Sequence, residues 1–144
     1  MKIKLNKKIL FPSPKIVGKR DWGNEILLVL ISKKISLKKL IIKKGKKGGL
    51  QYHHKKNECG YIISGNLKIT FDLGNGKLIS KVVKAGDSFH FPPGLVHQEE
   101  ALTKCEIIEA STPHFNDRVR VEKRYNIKND KGLPSTKIKD IILK

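Results

Sequence analysis

Glycine-centred turn signals cut this chain into pieces that suit strands better than helices. They fall at Gly45-Lys46-Lys47-Gly48-Gly49, Ser64-Gly65-Asn66, Leu73-Gly74-Asn75-Gly76 and Ala85-Gly86-Asp87. Around them, Ile35–Lys43, Tyr61–Phe71, Lys77–Val83 and Lys104–Ala110 are rich in β-branched or aromatic residues, the composition of a pleated, half-buried surface. No segment carries a convincing helical period. Asn75-Gly76 between two apolar runs predicts a type I′ hairpin, because that turn needs positive φ at both central positions. Short strands at this spacing predict a closed or sandwiched all-β domain.

At 144 residues the chain is expected to form one domain over 1–144, with a barrel core at about 22–113. Lys-rich arms, 1–19 and 131–144, flank that core. The longest apolar run, Ile26–Ile31, is strand-sized, and the N-terminus lacks the apolar core of a secretory signal, so no membrane association is expected. Cys59 and Cys105 fit no disulfide or metal spacing and point to a reducing cytoplasm. The net charge of +18 raises nucleic acid as a partner. Against it, Arg supplies only four of the 31 basic residues, although Arg is the better reader of bases and phosphates. The basic N-terminal third can steer an anionic substrate or simply be a solvated face.

Four potential metal ligands lie in two clusters. In Gln51-Tyr52-His53 a spacing of two puts Gln51 and His53 on one face of a strand. The polar stretch Lys55-Lys56-Asn57 then turns the chain, so that Glu58 can point back to the same interior. Further on, Phe89-His90-Phe91 runs into Pro92-Pro93-Gly94, a kink that re-aims the strand carrying His97. Two imidazoles, a carboxylate and an amide oxygen form a mixed N/O set that suits a divalent ion, Zn, Mn, Fe, Co or Ni, better than a soft thiolate-demanding one. Single histidines such as His54 or His114 read as ordinary surface or core residues.

Gly45, Gln51, His53, Glu58 and Gly65 have the spacing of the first cupin motif, with glutamine in place of its first histidine. Gly86, Pro92, Gly94 and His97 resemble the second motif, and twenty residues (66–85) separate the two. The chain is thus identified as resembling the cupin superfamily, which implies a double-stranded β-helix, the jelly-roll barrel. Where many cupins carry a closing Asn, Ala101 stands. A narrower resemblance, over about 19–125, is to the mannose-6-phosphate isomerase cupins, including those fused to GDP-mannose pyrophosphorylases. It rests on Trp22-Gly23, Ser36–Gly45, Leu50–His54, Ile108–Pro113 and Asp117–Glu122, with Tyr125 close behind. In that group glutamine is the expected residue at the place of Gln51, and a Gln/His/Glu/His set binds zinc or a related metal. Lys123, Asn126, Ile127 and Gly48-Gly49 depart from the group's pattern.

The resemblance implies a metal-dependent isomerase or epimerase of a phosphorylated or nucleotide-linked sugar, and a homodimer. Aldose–ketose isomerisation needs a Lewis acid and one base; the candidate bases are Glu58 and a histidine, His90 or His54. Recognition of the anionic sugar falls to Lys38 and Arg120, with Glu122 orienting the latter. Trp22 is a core aromatic or a stacking platform. An iron-dependent dioxygenase and a non-catalytic sugar-binding module are the rival readings.

Overall fold

A computed structural model describes residues 9–128. The expected arms lie outside these residues at 1–8 and 131–144. Part of the N-terminal arm is not an arm at all but the first strand, β1 (Lys15–Arg20). Ten more strands follow: β2 (Gly23–Ile31), β3 (Ile35–Ile42), β4 (Gln51–His53), β5 (Glu58–Ser64), β6 (Asn66–Asp72), β7 (Ile79–Lys84), β8 (Ser88–Phe91), β9 (Val96–Ala101), β10 (Cys105–Ser111) and β11 (Arg118–Arg120). Helix is confined, among the described residues, to one 3-10 turn, Glu122–Tyr125. No helix among them is long and apolar enough to cross a membrane.

The strands form two antiparallel sheets, one in the order β1-β2-β3-β10-β5-β8 and the other β11-β4-β9-β6-β7. From β3 onward the chain passes back and forth between them, the hairpin β6-β7 excepted, which is the jelly-roll pattern. The expected strand Tyr61–Phe71 is therefore two strands in different sheets, divided at Gly65. Gly65 has φ 91°, and a Cβ there would run into the Lys104 carbonyl oxygen and lie 2.9 Å from Cys105 Sγ. The Asn75-Gly76 hairpin is present but is not a two-residue type I′ turn. Asn75 keeps negative φ, while Gly74 and Gly76 are positive. The Asp72 carboxylate instead gathers the N–H groups of Gly74, Asn75 and Gly76 at 2.7, 3.0 and 3.2 Å, an Asx-type cradle for a longer loop.

Alternation places every second residue inside the barrel, and the interior divides along its axis. At one end Leu40, Ile42, Ile62, Leu67, Ile69, Val83, Phe91, Ala101, Cys105 and Ile107 form the apolar core, with Trp22 packed against it. At the other end the same strands turn polar. In register across β3 and β10, Ile42 faces Cys105 and Leu40 faces Ile107, but Lys38 faces Glu109 and Ser36 faces Ser111. On the far side of β10, Ile62 of β5 lies beside Ile107 and Glu58 beside Ser111. Apolar layers thus stack on apolar layers, and polar on polar.

Gly65→Ala and Gly74→Ala separate backbone strain from crowding. Both glycines are in the positive-φ region, but nothing lies within 4 Å of a Cβ on Gly74. Gly74→Ala should cost about 1–2 kcal/mol, and Gly65→Ala at least twice as much, read as the loss of thermal stability. Equal losses would show that the passage between the sheets has room to spare.

Candidate metal centre

Strand β4 delivers His53, β5 delivers Glu58 and β9 delivers His97, all three buried. One ligand atom from each lies within 4.8 Å of the others. His53 Nε2 is 3.4 Å and His97 Nε2 is 3.2 Å from the same oxygen, Glu58 Oε1. Gln51 pairs with His97 across β4 and β9 and shares a strand face with His53, so it starts from the same side of the sheet. The Pro92-Pro93-Gly94 turn is docked on this site, because the Gly94 N–H donates to the His53 carbonyl at 2.8 Å. Phe91 stacks on the His97 ring with centroids 4.1 Å apart.

The other ring nitrogens show that this donor set fits a cation. His97 Nδ1 donates to the Leu95 carbonyl at 2.9 Å, and His53 Nδ1 donates to Asp117 Oδ1 at 3.2 Å. With Nδ1 carrying a hydrogen in both rings, each Nε2 points at Glu58, donating to it while protonated and turning a lone pair to the same spot once its proton leaves. An imidazole held this way from behind is the usual arrangement of a metal-ligating histidine. Asp117 also accepts the N–H groups of Lys55 and Lys56 through Oδ2, each at 2.7 Å. It therefore fixes both the His53 ring and the turn that returns Glu58. Burial pushes the Asp117 carboxyl up, but these hydrogen bonds win and hold it at about 2.

Lys56 is the partner of the carboxylates. Its ammonium is 2.6 Å from Glu58 Oε2 and 3.3 Å from Glu109 Oε1. Burial opposes its charge, but the two carboxylates outweigh burial and raise its pKa. Burial likewise pushes Glu58 up, and Lys56 with the two histidines pulls it well below the usual range. For His53 the hydrogen bonds to Asp117 and Glu58 overcome burial and raise the pKa. Glu99, two residues past His97, is different. Its Oε1 is buried and has no hydrogen-bond partner, and burial together with Glu109 and Glu58 raises its pKa well above normal. Glu109 is raised by burial as well.

The remaining sequence candidates divide. Lys38 is buried, ion-paired to Glu25 at 2.6 Å, and lines a cavity of about 310 Å³ with His53, Lys56, Arg20, Arg118 and His114. Arg120 does not join it. Its guanidinium is bonded to Glu122, packs where a Cβ on Gly49 would lie, and lines a separate cavity with Trp22 and Gln98. His90 is on the outer face, because Phe91 beside it turns inward; it is exposed and bonded to Asn57 Oδ1 at 2.7 Å. His54 is also exposed. Glu25, Lys56, Glu99, Glu109, Asp117 and Arg118 were not singled out from the sequence. A charged residue at every second position of an otherwise apolar strand, such as Glu109 after Cys105 and Ile107, was the available signal.

The cupin domain family model matches residues 39–111, half of the chain, and spans His53, Glu58 and His97. This chain is a cupin. Mannose-1-phosphate guanylyltransferase 2 of Escherichia coli O157:H7 is 30% identical over 111 residues, 74% of this chain and 22% of that protein. Germin-like protein subfamily T member 3 of Arabidopsis thaliana is 40% identical over 53 residues, 35% of this chain and 23% of that one. The cupin therefore spans less than a quarter of either relative's length. Among solved structures, the capsular polysaccharide assembling protein CapF of Staphylococcus aureus superposes with a TM-score of 0.66 at 21% identity. It covers 77% of this chain and 32% of its own, a match of fold.

Asp117→Asn places an amide nitrogen against N–H donors whichever way it turns. Metal affinity should fall by about 10–100-fold, measured by competition with a chromophoric chelator. The carboxylate's stabilisation is complete above its ordinary value of 3.8 and is lost as the pH falls toward 2, because the folded-state pKa is depressed. The variant should therefore lose the part of acid unfolding that falls in this window. Glu99 has the opposite sign. Its raised pKa means that stability is lost as the pH climbs past the ordinary value of 4.5, since the unfolded chain ionises first. In chelator-treated protein, Glu99→Gln should raise Tm more at pH 7 than at pH 4, and a gain independent of pH would contradict the placement of this carboxyl.

Proposed function

We propose that this cupin is a metal-dependent isomerase or epimerase of a small anionic sugar, with His53, Glu58 and His97 holding the ion and Gln51 as a fourth ligand. The observation that carries the reading is the convergence of both Nε2 atoms on Glu58 beside a cavity that Arg20, Lys38 and Arg118 also line. A bound zinc or related ion would supply Lewis acidity toward a sugar oxygen. The chain's own residues supply the rest. Arg and Lys side chains attract and hold the anionic end of the sugar. Of the bases nominated from the sequence, Glu58 alone faces the interior, and Glu109 joins it through the shared Lys56. Burial raises the proton affinity of Glu109, which moves its carboxylate toward the range of a working base. The Escherichia coli relative, by name an enzyme of mannose 1-phosphate, supports a phosphorylated hexose as the substrate class.

An iron-dependent dioxygenase is the second reading, because two histidines and one carboxylate are also the facial set of non-haem iron oxygenases.

Protein stripped with a chelator and reloaded separately with Zn, Mn, Fe(II), Co or Ni should interconvert a hexose phosphate only when loaded. His97→Ala should lose both the stoichiometric metal and more than about 100-fold of the activity. Turnover that survives chelation and His97→Ala would rule out the metal-dependent reading, and oxygen consumption confined to the Fe(II) form would favour the dioxygenase.

A further inference from the structure

Among the four arginines, Arg118 alone is left uncommitted by the described residues. Arg20 is paired with Glu25 at 3.3 Å, Arg120 with Glu122, and Arg124 lies over the Tyr52 ring at 5.6 Å. Arg118 makes no hydrogen bond and no ion pair with any described residue, although it is half-buried on β11. Its strand fixes where it points. Arg118 is the register partner of His53 across β11 and β4, so it projects from the same sheet face as that ligand, and it lines the same cavity. Glu25 and Glu58 act on it only at range and are already paired with Arg20, Lys38 and Lys56, so a partly desolvated guanidinium keeps its N–H fork unspent, a costly thing for a fold.

The neighbouring charges are already arranged. Glu25 accepts from Lys38 at 2.6 Å and from Arg20 at 3.3 Å, which holds both cationic heads in place on one side of the cavity. Lys38 is also backed by the Phe115 ring, 4.9 Å from its ammonium. Lys56 is consumed by Glu58 and Glu109. Glu25 offsets one of Arg20 and Lys38, and the cavity keeps an excess of two positive charges, one of them on Arg118.

We propose that Arg118, with Lys38 and Arg20, forms an oxyanion-binding subsite that takes the phosphate of a phosphorylated sugar and so sets substrate specificity. An excess of two charges matches a phosphate monoester better than a single carboxylate, and the planar fork can hold two of its oxygens at once. The cavity, about 310 Å³, is at the small end of ligand sites and suits one sugar ring. The inference rests on the reading of this cavity as a substrate site, but its test does not depend on turnover.

The test is calorimetric titration of the full metal-loaded chain with inorganic phosphate and, separately, with acetate, at constant ionic strength so that the chain's general positive charge is screened. Arg118→Gln should weaken phosphate by roughly 10-fold or more, with the metal content unchanged. Arg118→Lys should recover part of that loss, and it guards against a folding defect in the first variant. Lys81→Ala, which removes an exposed charge on β7, should leave the affinity unchanged. Undiminished phosphate binding in Arg118→Gln, equal losses in Lys81→Ala, or Arg118-dependent binding that favours acetate would each overturn the proposal. Phosphate binding that depends on Arg118 in a protein that isomerises no hexose phosphate would sustain the subsite and sink only the isomerase.

Discussion

Three carboxylates, Glu58, Glu99 and Glu109, crowd one end of this barrel, and the Lys56 ammonium touches two of them. Like charges in a low-dielectric interior cannot all be ionised at little cost. The strain is visible in its distribution: Glu58 is held charged by Lys56 and the histidines, while Glu99 and Glu109 are pushed toward their neutral forms. Such a region gains from positive charge placed among its oxygens, and a cation there can take the place of the protons that the two Nε2 atoms share with Glu58. That electrostatic demand favours a bound cation at His53, Glu58 and His97, and it is independent of the sequence motif.

The fold makes room for this by dividing the barrel's interior. Because β3, β10 and β5 are in fixed register, one apolar end can supply the stability while the other holds groups that would never be buried for stability alone. Leu40, Ile107 and Ile62 form one layer; Lys38, Glu109 and Gly60 form another beside it. A one-residue slip in β10 would turn Glu109 outward and Ile108 inward, so the apolar end also fixes the geometry of the polar one. Asp117 closes the arrangement from outside, tying the segment before β11 to the turn between β4 and β5.

The all-β character and the meeting of His53, Glu58 and His97 were legible in the sequence because each rests on local spacing or on a motif. Gln51 and His53 needed only strand alternation, and His97 only its place after the Pro-Pro-Gly turn. The same rule applied to β8 would have excluded His90, since Phe91 is the better inward residue and the two cannot share a face. Other residues were hidden for a different reason. Lys56 is one of many lysines, and nothing local distinguishes it from the solvated ones; its importance comes from Glu109, more than fifty residues away. Arg118 and Arg120 are two apart on one strand and indistinguishable by alternation. Glu122, which captures Arg120, decides between them.

This division of labour within β11 gives the barrel its polarity. One arginine is spent on the protein's own carboxylate, while the other keeps its fork toward the cavity. The cavity beside His53 therefore carries excess positive charge, and the interior behind it carries crowded negative charge relieved chiefly by Lys56 and the histidines. A small sugar with an anionic end would be oriented by that gradient before any specific contact formed, with its charged group held at Arg118 and its uncharged ring toward His53 and Glu58. In the reverse orientation the anion would lie against Glu58, Glu99 and Glu109. The same charges that make the interior costly to bury would thus select a single direction of entry for such a ligand.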